Sequence, residues 1–159
     1  MNLLKSIYHP QRPVLQHIFL STALAFAICA LIMLFVEAIT QGGLAPPAYP
    51  APSNPAVFLV TALVLAPVLE NTALTLLIEI LLGFFDKVSS IVVVVAVLSG
   101  IAHFMASPPL LVGGAIMFAV MTASYLLFYA RPYYVRLMII TAQHILFNLP
   151  AAVYAQAGA

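Results

Sequence analysis

Residues 56–84 read AVFLVTALVLAPVLENTALTLLIEILLGF, and the fold follows from how that stretch is read. Only Glu70 and Glu79 ionise within it. About 20 consecutive, mostly apolar residues carry an α-helix across the roughly 30 Å hydrocarbon core of a bilayer. This stretch is longer, so it reads as a membrane-spanning helix that holds Pro67 inside it. Comparable runs occupy residues 14–39, 90–106, 110–129 and 135–154. The segments between them break helices. Residues 40–55 carry Gly42-Gly43, Pro46-Pro47, Pro50, Pro52 and Pro55, too much proline for a helix. Phe85-Asp86-Lys87-Val88-Ser89, Pro108-Pro109 and Arg131-Pro132-Tyr133-Tyr134 form the later links. The expectation is an all-α, polytopic transmembrane helix bundle of about five spans. It forms one domain over residues 14–159, behind an interfacial leader at residues 1–13.

Composition agrees. Of 159 residues, 65% are hydrophobic and 6% charged, against roughly a quarter charged in an average soluble domain. A soluble protein this apolar would expose large adhesive patches, and disorder needs the opposite composition. A net charge of +1 offers no basic stripe for nucleic acid. The single cysteine, Cys29, cannot form an intrachain disulfide and reads as a small apolar residue. No CxxC, P-loop or GxGxxG spacing is present. The first apolar run is too long for the core of a cleavable signal and reads as a retained anchor. With five spans, Lys5, Arg12, Lys87, Arg131 and Arg136 all fall on one side. The positive-inside rule then puts the N-terminus in the cytoplasm and the C-terminus outside. Tyr8, Tyr129, Tyr133 and Tyr134 lie near the same face, as an aromatic belt would.

Function is sought among residues that do not belong in lipid. A charge near the bilayer centre costs at least about 2.5 kcal/mol, so it needs a reason. Glu70 lies about 21 Å along its helix, out of easy reach of either end. Pro67, three residues earlier, leaves the carbonyl of Leu63 without its amide donor and predicts a kink. His144 and Asn148, four apart, share one helix face. His103 lies in Ser99-Gly100-Ile101-Ala102-His103, beside small residues that admit a neighbouring helix. Glu37 and Glu79 fall near helix ends, where headgroups are in reach, and Glu79 is nine residues from Glu70, on the opposite face. His9 and His17 are placed in or beside the leader, and Asp86-Lys87 in a solvated turn.

An acid, two imidazoles and an amide gathered in one cavity suit hydrolysis. Glu70 can act as general base on a water that His103 orients. His144 and Asn148 can donate hydrogen bonds to a tetrahedral oxyanion. Glu70, His103 and His144 could equally ligate zinc, and the residues alone leave both open. The same groups could form a proton relay in a small carrier.

Leu65-Ala66-Pro67-Val68-Leu69-Glu70, Ser99-Gly100-Ile101-Ala102-His103 and His144-Ile145-Leu146-Phe147-Asn148 resemble the three motifs of the CPBP family. Those proteins are polytopic intramembrane proteases of the CAAX prenyl endopeptidase and bacteriocin-processing type. The resemblance covers roughly residues 56–154. It implies an endopeptidase with Glu70, His103, His144 and Asn148 catalytic, Asn71 and Ser99 supporting. It implies a membrane-anchored peptide or protein as substrate and a place in a prokaryotic inner membrane. Three positions depart from the motifs. Asn71 stands where the family has a second Glu, Thr75 where it has Arg, and Ser99 where it has Phe. The departures keep a catalytically inactive scaffold or immunity protein as the alternative.

Overall fold

The computed structural model describes residues 13–40, 54–106 and 110–157. They form five helices and, among the described residues, no strand: α1 Val14–Thr40, α2 Pro55–Leu81, α3 Val88–Ala106, α4 Leu110–Leu127 and α5 Tyr133–Ala157. Four are long and apolar enough to cross a membrane, and α4 supplies a shorter apolar stretch, Leu111–Leu127. Large side chains such as Phe19, Leu31, Leu69, Leu76, Val93 and Met138 are each at least 60% exposed. Helices that are apolar on every face and exposed to this degree have lipid as their solvent. The protein is an integral, multi-pass membrane protein. Lys5, Tyr8, His9, Arg12, the side chain of Glu37, the proline-rich segment 41–53 and Pro108-Pro109 lie outside the described residues.

Local chemistry sets the helix ends. α2 starts one residue earlier than expected because Asn54 caps it. Its Oδ1 accepts from the amides of Ala56 and Val57 at 3.1 and 3.2 Å, and Pro55 brings no amide hydrogen that the first turn would leave unsatisfied. At the other end, Gly83 N donates to Ile80 O at 3.0 Å and tightens the last turn. Pro132 stands just before α5, and its carbonyl accepts from the amides of Val135 and Arg136.

The core sits between α2, α3, α4 and α5. Leu74 and Ile78 meet Ile91 and Val95, Met117, Met121 and Tyr125, and Ile140. α1 packs outside this group, with Ile18 against Phe128 and Ile139. A polar stitch holds it there: Gln143 Nε2 donates to Ser21 Oγ at 2.6 Å and to Ser124 Oγ at 2.8 Å. His17, expected beside the leader, lies in the first turns of α1, and its Nε2 meets Ser124 Oγ at 2.9 Å. Its ring also packs edge-on against Phe128.

Glu79 needs a larger correction. It does not reach for headgroups. Its carboxylate accepts from Tyr125 at 2.6 Å, Tyr129 at 2.8 Å and Arg136 at 3.1 Å. The Arg136 guanidinium stacks over both tyrosine rings, 4.5 and 4.4 Å from their centroids. Tyr129 and Arg136 were expected as belt and link residues. They are drawn into the bundle because a carboxylate in a poorly solvated place needs donors.

Candidate functional site

The buried stripe of α2 comprises Pro67, Asn71, Leu74, Thr75 and Ile78. Glu70 stands about 100° round the helix from Asn71, at the margin of that stripe. Its side chain is 43% exposed and lines a cavity of about 590 Å³ between α2 and α3, with Ala73, Leu77, Leu98, Ser99, Ala102, His103 and Phe118. The cavity is therefore an apolar trough with an acid and an imidazole at one end. Antiparallel neighbours account for this, since the sequence order on α2 reverses on α3.

His103 is fixed in both tautomer and position. Its Nδ1 lies 2.8 Å from the carbonyl oxygen of Ser99. A carbonyl only accepts, so Nδ1 carries the hydrogen and Nε2 is the free lone pair of the neutral ring. Space for the ring comes from α4. A Cβ on Gly114 would lie 2.6 Å from His103 Cγ and 2.9 Å from its Cβ. One turn away, a Cβ on Gly100 would come within 3.1 Å of the Ala115 Cβ, so α3 and α4 touch nearly backbone to backbone.

His144 approaches Glu70 from α5. Its Nε2 is 3.6 Å from Glu70 Oε2, and its ring is 2% exposed. That distance exceeds a direct hydrogen bond, but resting catalytic contacts are often long, and one water can bridge them. On the other edge of the ring, Nδ1 lies 3.4 Å from Asn71 Oδ1. Asn71 is fully buried, and its Nδ2 donates to Thr141 Oγ1 at 3.3 Å. One turn along α2, Thr75 Oγ1 meets the Tyr133 hydroxyl at 2.9 Å. Two of the three departures from the resembled motifs, Asn71 and Thr75, thus take partners on α5. Phe118 separates the imidazoles, its centroid 5.3 Å from His103 and 5.7 Å from His144.

Asn148 is placed differently. Residues Thr61–Leu65 of α2 wind as a π-helix, and the amide of Ala66 donates to Thr61 O. In that five-residue register the carbonyl of Ala62 would take the amide of residue 67, which is proline and has none. Asn148 Nδ2 supplies the donor at 3.1 Å. Pro67 was expected to orphan the carbonyl of Leu63, and the wider turn moves the orphan to Ala62. The structure thus brings Glu70, His103 and His144 together and holds Asn148 one turn beyond them, on the backbone of α2.

Depth is consistent as well. Counted from the ends that meet the Asp86 and Arg131 links, Glu70 and His144 each lie about 16 Å in and His103 about 22 Å in. His103 is thus offset from the other two by about four residues, and the turn expected to be buried at Pro108-Pro109 lies outside the described residues. Among the described residues, no three His, Cys, Asp or Glu side chains form a group that could hold a metal ion.

No protein-family profile, curated protein or solved structure matches the chain.

Gly114, Phe118 and Thr141 shape the site, and Phe118 and Thr141 carried no chemical signal in the sequence. Gly114 had a weak one, being the second of two glycines in an apolar helix, where such residues often mark close contacts.

Proposed function

We propose that this protein is an intramembrane endopeptidase, a small relative of the CPBP proteases, that cleaves a membrane-proximal peptide bond by attack of water activated at Glu70. The observation that carries the reading is the Glu70 carboxylate 3.6 Å from His144 Nε2, on the wall of the cavity that His103 also lines. Two imidazoles and an acid have little reason to meet in oil except to handle protons.

The chemistry uses these groups as follows. A water in the cavity donates one hydrogen bond to His103 Nε2 and loses a proton to the Glu70 carboxylate. Its oxygen attacks the peptide carbonyl, and the developing oxyanion takes a hydrogen bond from protonated His144. Glu70 returns its proton to the amine as the C–N bond breaks. Asn148 gives one amide hydrogen to Ala62 O and keeps a second, which can join His144 at the oxyanion. The cavity is walled by leucine, alanine and phenylalanine beside the acid, which suits a peptide tethered in the same membrane. The N-terminus faces the cytoplasm and the membrane is the prokaryotic inner one in this reading.

The test is reconstitution in liposomes with membrane-anchored peptides, with products sequenced by mass spectrometry in isotopically labelled water. Expected are two fragments, one carrying a labelled carboxylate, cut within a few residues of the membrane face. Proton flux without fragments would replace this reading with a carrier. Full biological activity after joint loss of Glu70 and His144 would replace it with a scaffold.

Gly114→Ala is expected to lower cleavage about 100-fold, since the new methyl displaces the His103 ring by about an ångström or more. Comparing its rate with that of His103→Ala, at matched melting temperature, checks this. An unimpaired Gly114→Ala enzyme would remove His103 from the mechanism.

A further inference from the structure

Three acceptors converge in this site if each is taken in its simplest form: a Glu70 carboxylate and two imidazole Nε2 lone pairs. Such a set repels itself in a medium of low polarity. At least one proton must therefore be held among them, and where it rests depends on the outer edge of each ring. His103 is settled by the Ser99 carbonyl, 2.8 Å from its Nδ1. For His144 the deciding neighbour is Asn71, whose Oδ1 faces Nδ1 at 3.4 Å. An amide could turn either its oxygen or its nitrogen to that ring. The structure turns the oxygen to the ring and the amide nitrogen to Thr141 Oγ1, at 3.3 Å.

We propose that Asn71 is the positioning residue of the site: its side-chain oxygen holds His144 as the Nδ1–H tautomer, so that Nε2 takes the proton from Glu70. The inference rests on the endopeptidase reading for its consequence, though not for its geometry. In the resting pair the proton is on Glu70, whose Oε2 lies 3.6 Å from His144 Nε2, a gap that one water bridges. When water enters, the O–H bond of Glu70 breaks and an N–H bond forms at Nε2. The products are a Glu70 carboxylate ready to act as base and an imidazolium whose two N–H groups are both used. Nδ1–H points at Asn71, and Nε2–H points toward the place where an oxyanion develops. No oxidant or metal is needed, and the proton count is unchanged.

This gives a physical meaning to the departure at this position. An amide oxygen supports the imidazolium without adding a second negative charge to a buried site. A second carboxylate here would need a cation beside it, and Thr75, bonded to Tyr133, offers none.

The experiment is nitrogen NMR of the full-length protein, labelled at histidine, in lipid nanodiscs, with cleavage measured in parallel. In the native protein at neutral pH, the His144 Nδ1 resonance is expected to be that of a protonated nitrogen, and Nε2 that of an unprotonated or exchanging one. Asn71→Leu should give a mixed or reversed tautomer, while Asn71→Asp, which keeps an oxygen acceptor, should retain the native one. Cleavage by Asn71→Leu should fall about 10- to 100-fold, in the range found for groups that orient a ligating histidine in metal sites. It should fall in kcat rather than KM. Thr141→Val frees the amide to turn and should move the tautomer part of the way, which keeps the test available should Asn71→Leu fail to fold. An Nε2–H tautomer in the native protein, or an unmoved tautomer in both Asn71→Leu and Thr141→Val, would overturn the proposal. Tautomer changes as expected in a protein that cleaves nothing would leave the role of Asn71 standing and remove the endopeptidase reading instead.

Discussion

Replacing Glu70 by Gln is expected to cut peptide cleavage by about 10²- to 10⁴-fold, the range for loss of a general base, while leaving the bundle at least as stable as before. The two halves of that outcome have one cause. Gln preserves the shape and hydrogen-bonding reach of the side chain but cannot accept a proton from water. Its amide can instead donate to His144 Nε2, the group now facing Glu70 Oε2 at 3.6 Å. The three groups then need no shared proton to avoid repelling one another, and a group that ionises in a poorly solvated place is gone. Loss of function with unchanged or raised melting temperature is the pattern of a site whose acid is held at a cost to stability. The measurement pairs single-turnover cleavage in liposomes with thermal unfolding of the same samples. A variant that cleaves at the native rate would remove Glu70 from the chemistry. One that is inactive and also markedly less stable would make Glu70 a structural residue.

Much of this was legible before any coordinates. Length and apolarity alone located all five helices, and α1 and α4 end within two residues of their expected limits. Lipid imposes one rule on every backbone group, that it be satisfied inside its own helix, so the run of apolar residues is nearly the structure. Glu70, His103 and His144 were visible for the converse reason, that polar groups in oil are few and expensive. What the sequence did not reveal was who pairs with whom. Asn148 reads as a free donor, one turn from His144, until a π-turn leaves Ala62 O without an amide. Glu79 reads as a helix-end acid because its partners, Tyr125, Tyr129 and Arg136, stand 46 to 57 residues away. A signal for that cluster did exist. One acid, one arginine and several tyrosines fall at the same end of three helices, and in a membrane such groups find each other before they find solvent. Gly114 shows the opposite case: its meaning lies wholly in the ring that occupies its missing side chain.

The Glu79 cluster carries the largest stability effect expected in this protein. Arg136 keeps its charge under all ordinary conditions, and its side chain is 10% exposed while that of Glu79 is 36% exposed. Glu79→Leu leaves the guanidinium with its aromatic stacking but without its counter-charge, and leaves the fully buried Tyr125 hydroxyl without its carboxylate acceptor. Breaking a buried pair from one side costs about 3–5 kcal/mol, and the partial exposure of Glu79 puts this case near 3 kcal/mol. Arg136→Leu alone is expected to cost less, because two tyrosine hydroxyls at 2.6 and 2.8 Å still hold the carboxylate. With both replaced by leucine, no uncompensated charge remains, and the double variant should be more stable than Glu79→Leu alone. The interaction energy from the cycle should reach about 1–3 kcal/mol, as for other residues in direct contact. Reversible unfolding in mixed micelles, followed by tyrosine fluorescence, measures it. Costs that simply add would mean that the acid and the arginine each answer to the tyrosines, and that their 3.1 Å contact contributes nothing of its own.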